Sequence, residues 1–159
     1  MEPKIVQMEK LCVVGLTGNG AETGKVWEDF ERLYDEKPFT KADENGYEIR
    51  FFNGEEKVIS GMDIHVGFLS MSIDAIDGFS TIVLPATEYA VFDVFVLKGY
   101  DSENENMDKW LLKNSDKYTH LQMDGKYFVV ECFNERFKDG NQPDSIIEIW
   151  IPLKKIVSF

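Results

Sequence analysis

Histidine and cysteine are scarce in this 159-residue chain, at two each, and that scarcity closes off several chemistries. His65 and His120 have no partners at metal-ligand or triad spacing, so they read as structural or surface residues. Cys12 and Cys132 each sit mid-strand among apolar residues, as suits a small buried thiol, and no spacing resembles a metal site or a disulfide framework. No Ser-His-Asp, Cys-His or metal constellation is present, so no metal or cofactor is expected. No apolar run approaches the ~18–20 residues that span a bilayer, so no membrane association is expected. No signal-peptide pattern precedes the first alternating run. The expected setting is reducing and cytoplasmic. Positive charge is also short: 17 Lys and Arg face 29 Asp and Glu, a formal net charge of −12. Such a field repels phosphate backbones and argues against direct nucleic-acid binding. It leaves open a merely solubilising surface, a cationic ligand or a basic partner surface.

Aromatic residues are plentiful instead, at 13% of the chain, with 12 Phe, 6 Tyr and 3 Trp. They stand out in two C-terminal segments that read as strands. In Tyr127–Phe137, alternation puts Tyr127, Val129, Glu131, Phe133, Glu135 and Phe137 on one face, and Phe128, Val130 and Cys132 on the other. Carboxylates between rings can hold a lipophilic cation by charge and π-face. An edge strand with a solvated outer face gives the same pattern. In Ile146–Leu153, Ile147, Ile149 and Ile151 share a core side, and Trp150 shares the opposite face with Ile146 and Glu148.

Elsewhere, Lys10–Leu16 reads as a buried strand. Thr23 is a candidate N-cap for an amphipathic helix carrying Val26, Trp27, Phe30, Leu33 and Tyr34, with Pro38 past its end. Tyr47–Phe52, the Asn53-Gly54 turn and Ile64–Met71 follow as a strand pair. Phe79–Leu84 and Tyr89–Leu97 are strands, and Gly99 ends the second. Ser102–Glu105 fits a capping box before a helix with Met107, Trp110 and Leu111. A long polar turn, 138–143, separates the last two strands. The order strand-helix-strand-strand therefore occurs twice, over about residues 5–72 and 79–157, with an extra strand between the halves. The prediction is an α+β fold in one domain over 1–159: duplicated β-α-β-β units, an antiparallel sheet, two helices on one face, and a cleft at the pseudo-two-fold seam.

Several segments, in order, resemble the GyrI-like effector-binding domains of bacterial multidrug-responsive regulators. Leu11-Cys-Val-Val-Gly15 resembles the opening strand, Val26-Trp-Glu-Asp-Phe30 the first helix, and Trp110-Leu111 the second. Leu84-Pro-Ala-Thr-Glu-Tyr-Ala-Val-Phe92 resembles Pro-Ala-Gly-x-Tyr-Ala-Val-Phe. Val130-Glu-Cys-Phe133 stands where the family has Phe-Glu-x-Tyr, and Glu148-Ile-Trp-Ile-Pro152 resembles the closing Glu-x-Tyr/Trp-x-Pro. Thr87 departs from a usual glycine, and Phe133 from a frequent tyrosine.

The resemblance implies an aromatic-lined cleft with a central glutamate that pairs with cationic, lipophilic drugs. By position that glutamate is Glu131, with Trp150 and Tyr89 as matched aromatics. Phe133, Phe68 and Trp110 complete the expected ligand-binding set, whereas Trp27 reads as core. Relatives often carry a helix-turn-helix domain; none is read here. The expectation is a standalone small-molecule-binding protein rather than an enzyme. The alternatives are a hydrolase of strained electrophiles using Glu131 and Tyr89, or a protein that engages gyrase or a regulator. A homodimer is left open.

Overall fold

The computed structural model describes residues 2–52, 63–98, 101–138 and 142–157, with backbone alone at 101–103. Its strands are β1 (Lys4–Met8), β2 (Leu11–Asn19), β3 (Gly46–Phe52), β4 (Asp63–Leu69), β5 (Ser80–Leu84), β6 (Thr87–Phe95), β7 (Tyr118–His120), β8 (Gln122–Met123), β9 (Lys126–Phe133) and β10 (Ile146–Lys155). Helices α1 (Thr23–Glu36) and α2 (Asp101–Lys113) complete it. The sheet order is β1-β6-β10-β9-β3-β4-β2-β5, antiparallel throughout, with β7 on β10 and β8 on β9.

That order is a palindrome of two copies. β2-α1-β3-β4 and β6-α2-β9-β10 each build a three-stranded unit whose middle strand is its last in sequence. The copies meet where β3 pairs β9, and each is flanked by a strand preceding the other: β1 on β6, β5 on β2. The predicted duplicated α+β architecture is present. Sequence reading omitted β1, β7 and β8, which are short.

The sheet curls. Val6 and Met8 from one edge and Leu84 and Ile82 from the other join a single cluster with Tyr47, Tyr89, Phe128 and Trp150 on the inner face. The curl is tight between β2 and β4, where Gly15 faces Gly67. A Cβ at Gly15 would sit 1.6 Å from the Val66 carbonyl oxygen, so only glycine permits that approach. The outer face is covered by the helices. Val26 and Phe30 of α1 pack on Ile64 and Val66 of β4, and Met107 and Trp110 of α2 pack on Phe92, Ile147, Ile149 and Ile151. Full burial of each such side chain contributes about 1.5–3 kcal/mol, which fixes the helices to the sheet.

Local corrections are few. Thr23 is the first residue of α1 and not its cap; a short 3-10 turn over Gly20–Glu22 precedes it, capped by Asn19 Oδ1, which accepts from Ala21 N at 2.8 Å. β9 ends at Phe133, short of the predicted Phe137, because Asn134 Oδ1 accepts from Arg136 N at 2.9 Å and turns the chain. Glu135 is therefore an exposed turn residue. The predicted Asn53-Gly54 turn and Gly99 strand stop lie outside the described residues. The backbone of Ser102 lies inside α2, which runs from Asp101, so Ser102 is not the cap that the Ser102–Glu105 pattern predicts.

Candidate functional site

Alternation in β3 sends Tyr47, Ile49 and Phe51 to the inner cluster, so Glu48 and Arg50 point to the helix face. Alternation in β9 does the same for Phe128, Val130 and Cys132, leaving Val129, Glu131 and Phe133 on the helix face. The register then places Glu48 directly opposite Glu131 across the seam of the two copies. Two carboxylates are thus cross-strand neighbours, and both are buried, at 2% and 6% exposure.

Three groups hold them. Arg50 Nε donates to Glu131 Oε2 at 2.6 Å and to Glu48 Oε2 at 2.8 Å, and its Nη2 lies 2.6 Å from the same Glu48 oxygen. Trp27, from α1, donates its indole N–H to Glu48 Oε1 at 2.8 Å. Thr23 accepts from Arg50 Nη2 at 3.3 Å while donating to the Gly20 carbonyl at 2.8 Å. Phe133 walls the site, edge-on to Trp27 at 5.9 Å between ring centroids. Gly46 leaves room for the indole, since a Cβ there would meet it at 3.1 Å.

The electrostatics follow from two acids sharing one base away from water. Burial, and then the Glu48 charge, push Glu131 up to about 8, against the pull of Arg50. Burial works against the Arg50 charge, but Glu48 and Glu131 outweigh it and hold the guanidinium above its ordinary value. With both acids ionised the trio would carry one excess negative charge. At neutral pH it meets that excess by keeping a proton on the pair.

Of the six residues expected to line one cleft, the structure brings Glu131 and Phe133 together on the helix face and Trp150 and Tyr89 together on the opposite face. Trp150 and Tyr89 lie on the inner face, with ring centroids 5.9 Å apart, because the partner of Glu131 on β10 is Ile149 and not Trp150. The Tyr89 hydroxyl is spent on the Pro85 carbonyl at 2.9 Å, and burial raises its pKa. Glu131 and Tyr89 thus occupy opposite faces of the sheet and share no floor for one small substrate. Phe68 is on the helix face but under α1, 4.9 Å from Phe30 and 5.0 Å from Tyr34 between centroids. Trp110 packs on Phe92 and Tyr118 under α2.

Glu48, Arg50, Thr23 and Trp27 were missed as site residues. Their signal is present in retrospect: Glu48 and Arg50 share one strand face, and Trp27 lies on the inward side of the helix before it. Among the described residues, no group of three or more His, Cys, Asp or Glu side chains is placed to hold a metal ion. His65 is buried and structural, 3.0 Å from the Val13 carbonyl and 3.1 Å from Thr17 Oγ1; burial lowers it to about 4. Both cysteines are free and buried, and burial pushes Cys132 up to about 12. An open groove of about 420 Å³ runs between Thr87 and Glu88 of β6 and Leu153–Lys155 of β10, and does not include Glu131. Among the described residues, no helix is long and apolar enough to cross a membrane.

Comparison with known proteins supplies the context. A sequence model described as Cass2, integron-associated effector binding protein, matches residues 4–153. No curated protein matches the chain by sequence. Among solved structures, SAV2435 bound to tetraphenylphosphonium is similar at 18% identity and a TM-score of 0.63, over 97% of this chain and 94% of that one. The C-terminal domain of EcmrR is similar at 12% identity and a TM-score of 0.69, over 98% of both chains. Integron cassette protein VCH_CASS2 of Vibrio cholerae is similar at 14% identity and a TM-score of 0.53, over 97% of both. At these identities the likeness is one of fold, and it agrees with the GyrI-like resemblance of the sequence.

Proposed function

Because the chain belongs to the family of integron-associated effector-binding proteins, we propose that it binds a small lipophilic cation at the β3–β9 seam, against Glu131 and Glu48. The observation that carries this reading is the buried acid pair with a single base, roofed by the Trp27 and Phe133 rings. A carboxylate away from water is costly unless compensated, and Arg50 compensates only one of two. A ligand cation would balance the second, in surroundings where a charge pair is worth far more than in water. Rings at the same place add area and a negative π-face. Tetraphenylphosphonium, which SAV2435 binds, has this chemistry and is the natural first probe. In this reading the chain is a ligand-binding module, and any effect on transcription would pass through a DNA-binding domain or partner joined to it.

Since Glu131 holds a proton where the ligand charge would go, cation binding expels that proton. Affinity should therefore rise with pH until Glu131 is ionised, near about 8, and level off above it. The test is tryptophan fluorescence titration with tetraphenylphosphonium at about pH 6 and about pH 9, on wild type and Glu131→Gln. Saturable quenching that tightens about tenfold or more at the higher pH, and that weakens and loses its pH dependence in Glu131→Gln, is the expected result. Equal affinity in wild type and Glu131→Gln would remove Glu131 from the site.

A further inference from the structure

We propose that Arg50 partly occupies the cation position and sets its specificity, so that a positively charged ligand binds by displacing the guanidinium from Glu131 while it keeps its pairing with Glu48. This rests on the reading of the seam as the ligand site. Three observations carry it. Arg50 Nε lies within hydrogen-bond reach of both carboxylates at once, which is where an added cation would gain most. Arg50 is also the most exposed member of the trio. The side chains of Glu48 and Glu131 are 3% and 8% exposed, whereas that of Arg50 is 21% exposed. Glu48 is fixed by the Trp27 indole, while among the described residues Arg50 has beyond the acids only the long 3.3 Å contact to Thr23. Finally, Thr23 opens α1, so a guanidinium swinging past it passes the end of the helix without disturbing Val26 or Phe30 beneath.

The displacement has a chemical consequence. Arg50 gives the acids both charge and N–H donors, and a buried acceptor left without a donor costs about 1–3 kcal/mol. A tetraarylphosphonium restores the charge but no donor. It is therefore the ligand type most penalised by the presence of Arg50 and most relieved by its removal.

The experiment measures the affinity of tetraphenylphosphonium and of neutral triphenylphosphine oxide, at about pH 8.5, for wild type and Arg50→Met. Arg50→Met should bind the cation about tenfold more tightly or better, with the neutral compound changed less than about twofold. Should Arg50→Met not fold, the double variant Glu48→Gln with Arg50→Met removes one acid with the base and leaves Glu131 able to take a proton; the same gain is expected there. Cation affinity unchanged or weakened in a folded variant, with wild type still binding, overturns the proposal for Arg50 and leaves the seam as the ligand site. No binding of either compound by any form overturns the ligand-site reading itself, and this proposal with it.

Discussion

The molecule builds one constellation twice. At the seam, Glu48 and Glu131 are cross-strand partners, Arg50 bridges them, and the Trp27 indole donates to Glu48. On the inner face, Asp93 and Glu148 are cross-strand partners, Arg136 bridges them at 2.9 and 2.8 Å, and the Trp150 indole donates to Glu148 at 2.9 Å. The residue types match almost one for one. What differs is water. The side chains of Arg136, Asp93 and Glu148 are 35%, 33% and 22% exposed, whereas α1 and Phe133 cover the seam. In the wet copy, solvent shares the work of neutralising two acids with one base. In the dry copy the two acids themselves are only 3% and 8% exposed, so solvent does little for them and the excess charge becomes a raised pKa of Glu131. Location, more than residue identity, makes one copy a candidate site and the other a strut.

The sharpest way to break this comparison is to remove the base from each copy. Arg50→Met leaves two acids buried without a counter-charge, and should cost about 3–5 kcal/mol of stability. Arg136→Met leaves two hydrated acids, and should cost less than about 1 kcal/mol, a loss that shrinks further in high salt. Urea denaturation of both variants checks it. Equal costs would mean that exposure does not separate the two clusters.

The pH dependence of stability is the next contrast. The folded-state pKa of Glu131 is raised above its unfolded value, so the folded state holds a proton that the unfolded state has already lost. The stability this contributes is full below about pH 4.5 and declines as pH rises through about 8. Wild type should lose on the order of 5 kcal/mol across that window relative to Glu131→Gln, which has no such proton. Denaturation midpoints of the two proteins, compared from acidic to alkaline pH, test it. Parallel profiles would show that Glu131 does not hold the proton.

Why the sequence disclosed the fold but only part of the site is visible in these same residues. Period-two alternation separated the faces of β9 and β10 correctly, strand by strand. It cannot say which face of one strand continues which face of the next. That depends on register, and a slip of one residue exchanges the faces. Trp150 was placed beside Glu131 although Ile149 is its true neighbour on β10. Nor does alternation reveal which polar face lies under a helix. Glu48 and Arg50 have the spacing of a solvated strand face, and only the packing of α1 across β2 and β4, with Trp27 reaching the seam, makes them interior. Glu131 was legible because its segment is otherwise nearly apolar, and a carboxylate there needs a reason.

The smallest expected effect sits on the Thr23 hydroxyl, which has no counterpart in the wet copy among the described residues. Thr23→Val keeps the shape and removes two hydrogen bonds, one from Arg50 Nη2 and one to the Gly20 carbonyl. The stability cost should be about 1 kcal/mol, since the guanidinium end is partly hydrated and water can replace the lost acceptor. The more telling effect is on binding. If Arg50 must leave for a cation to enter, loosening its far end lowers the cost of departure, and tetraphenylphosphonium should bind about two- to fivefold more tightly to Thr23→Val than to wild type. That gain must be smaller than for Arg50→Met, and it must vanish when Thr23→Val is added to Arg50→Met, because the hydroxyl then has no guanidinium to hold. A gain that persists in the double variant would place the role of Thr23 in the start of α1 and separate it from the acid pair.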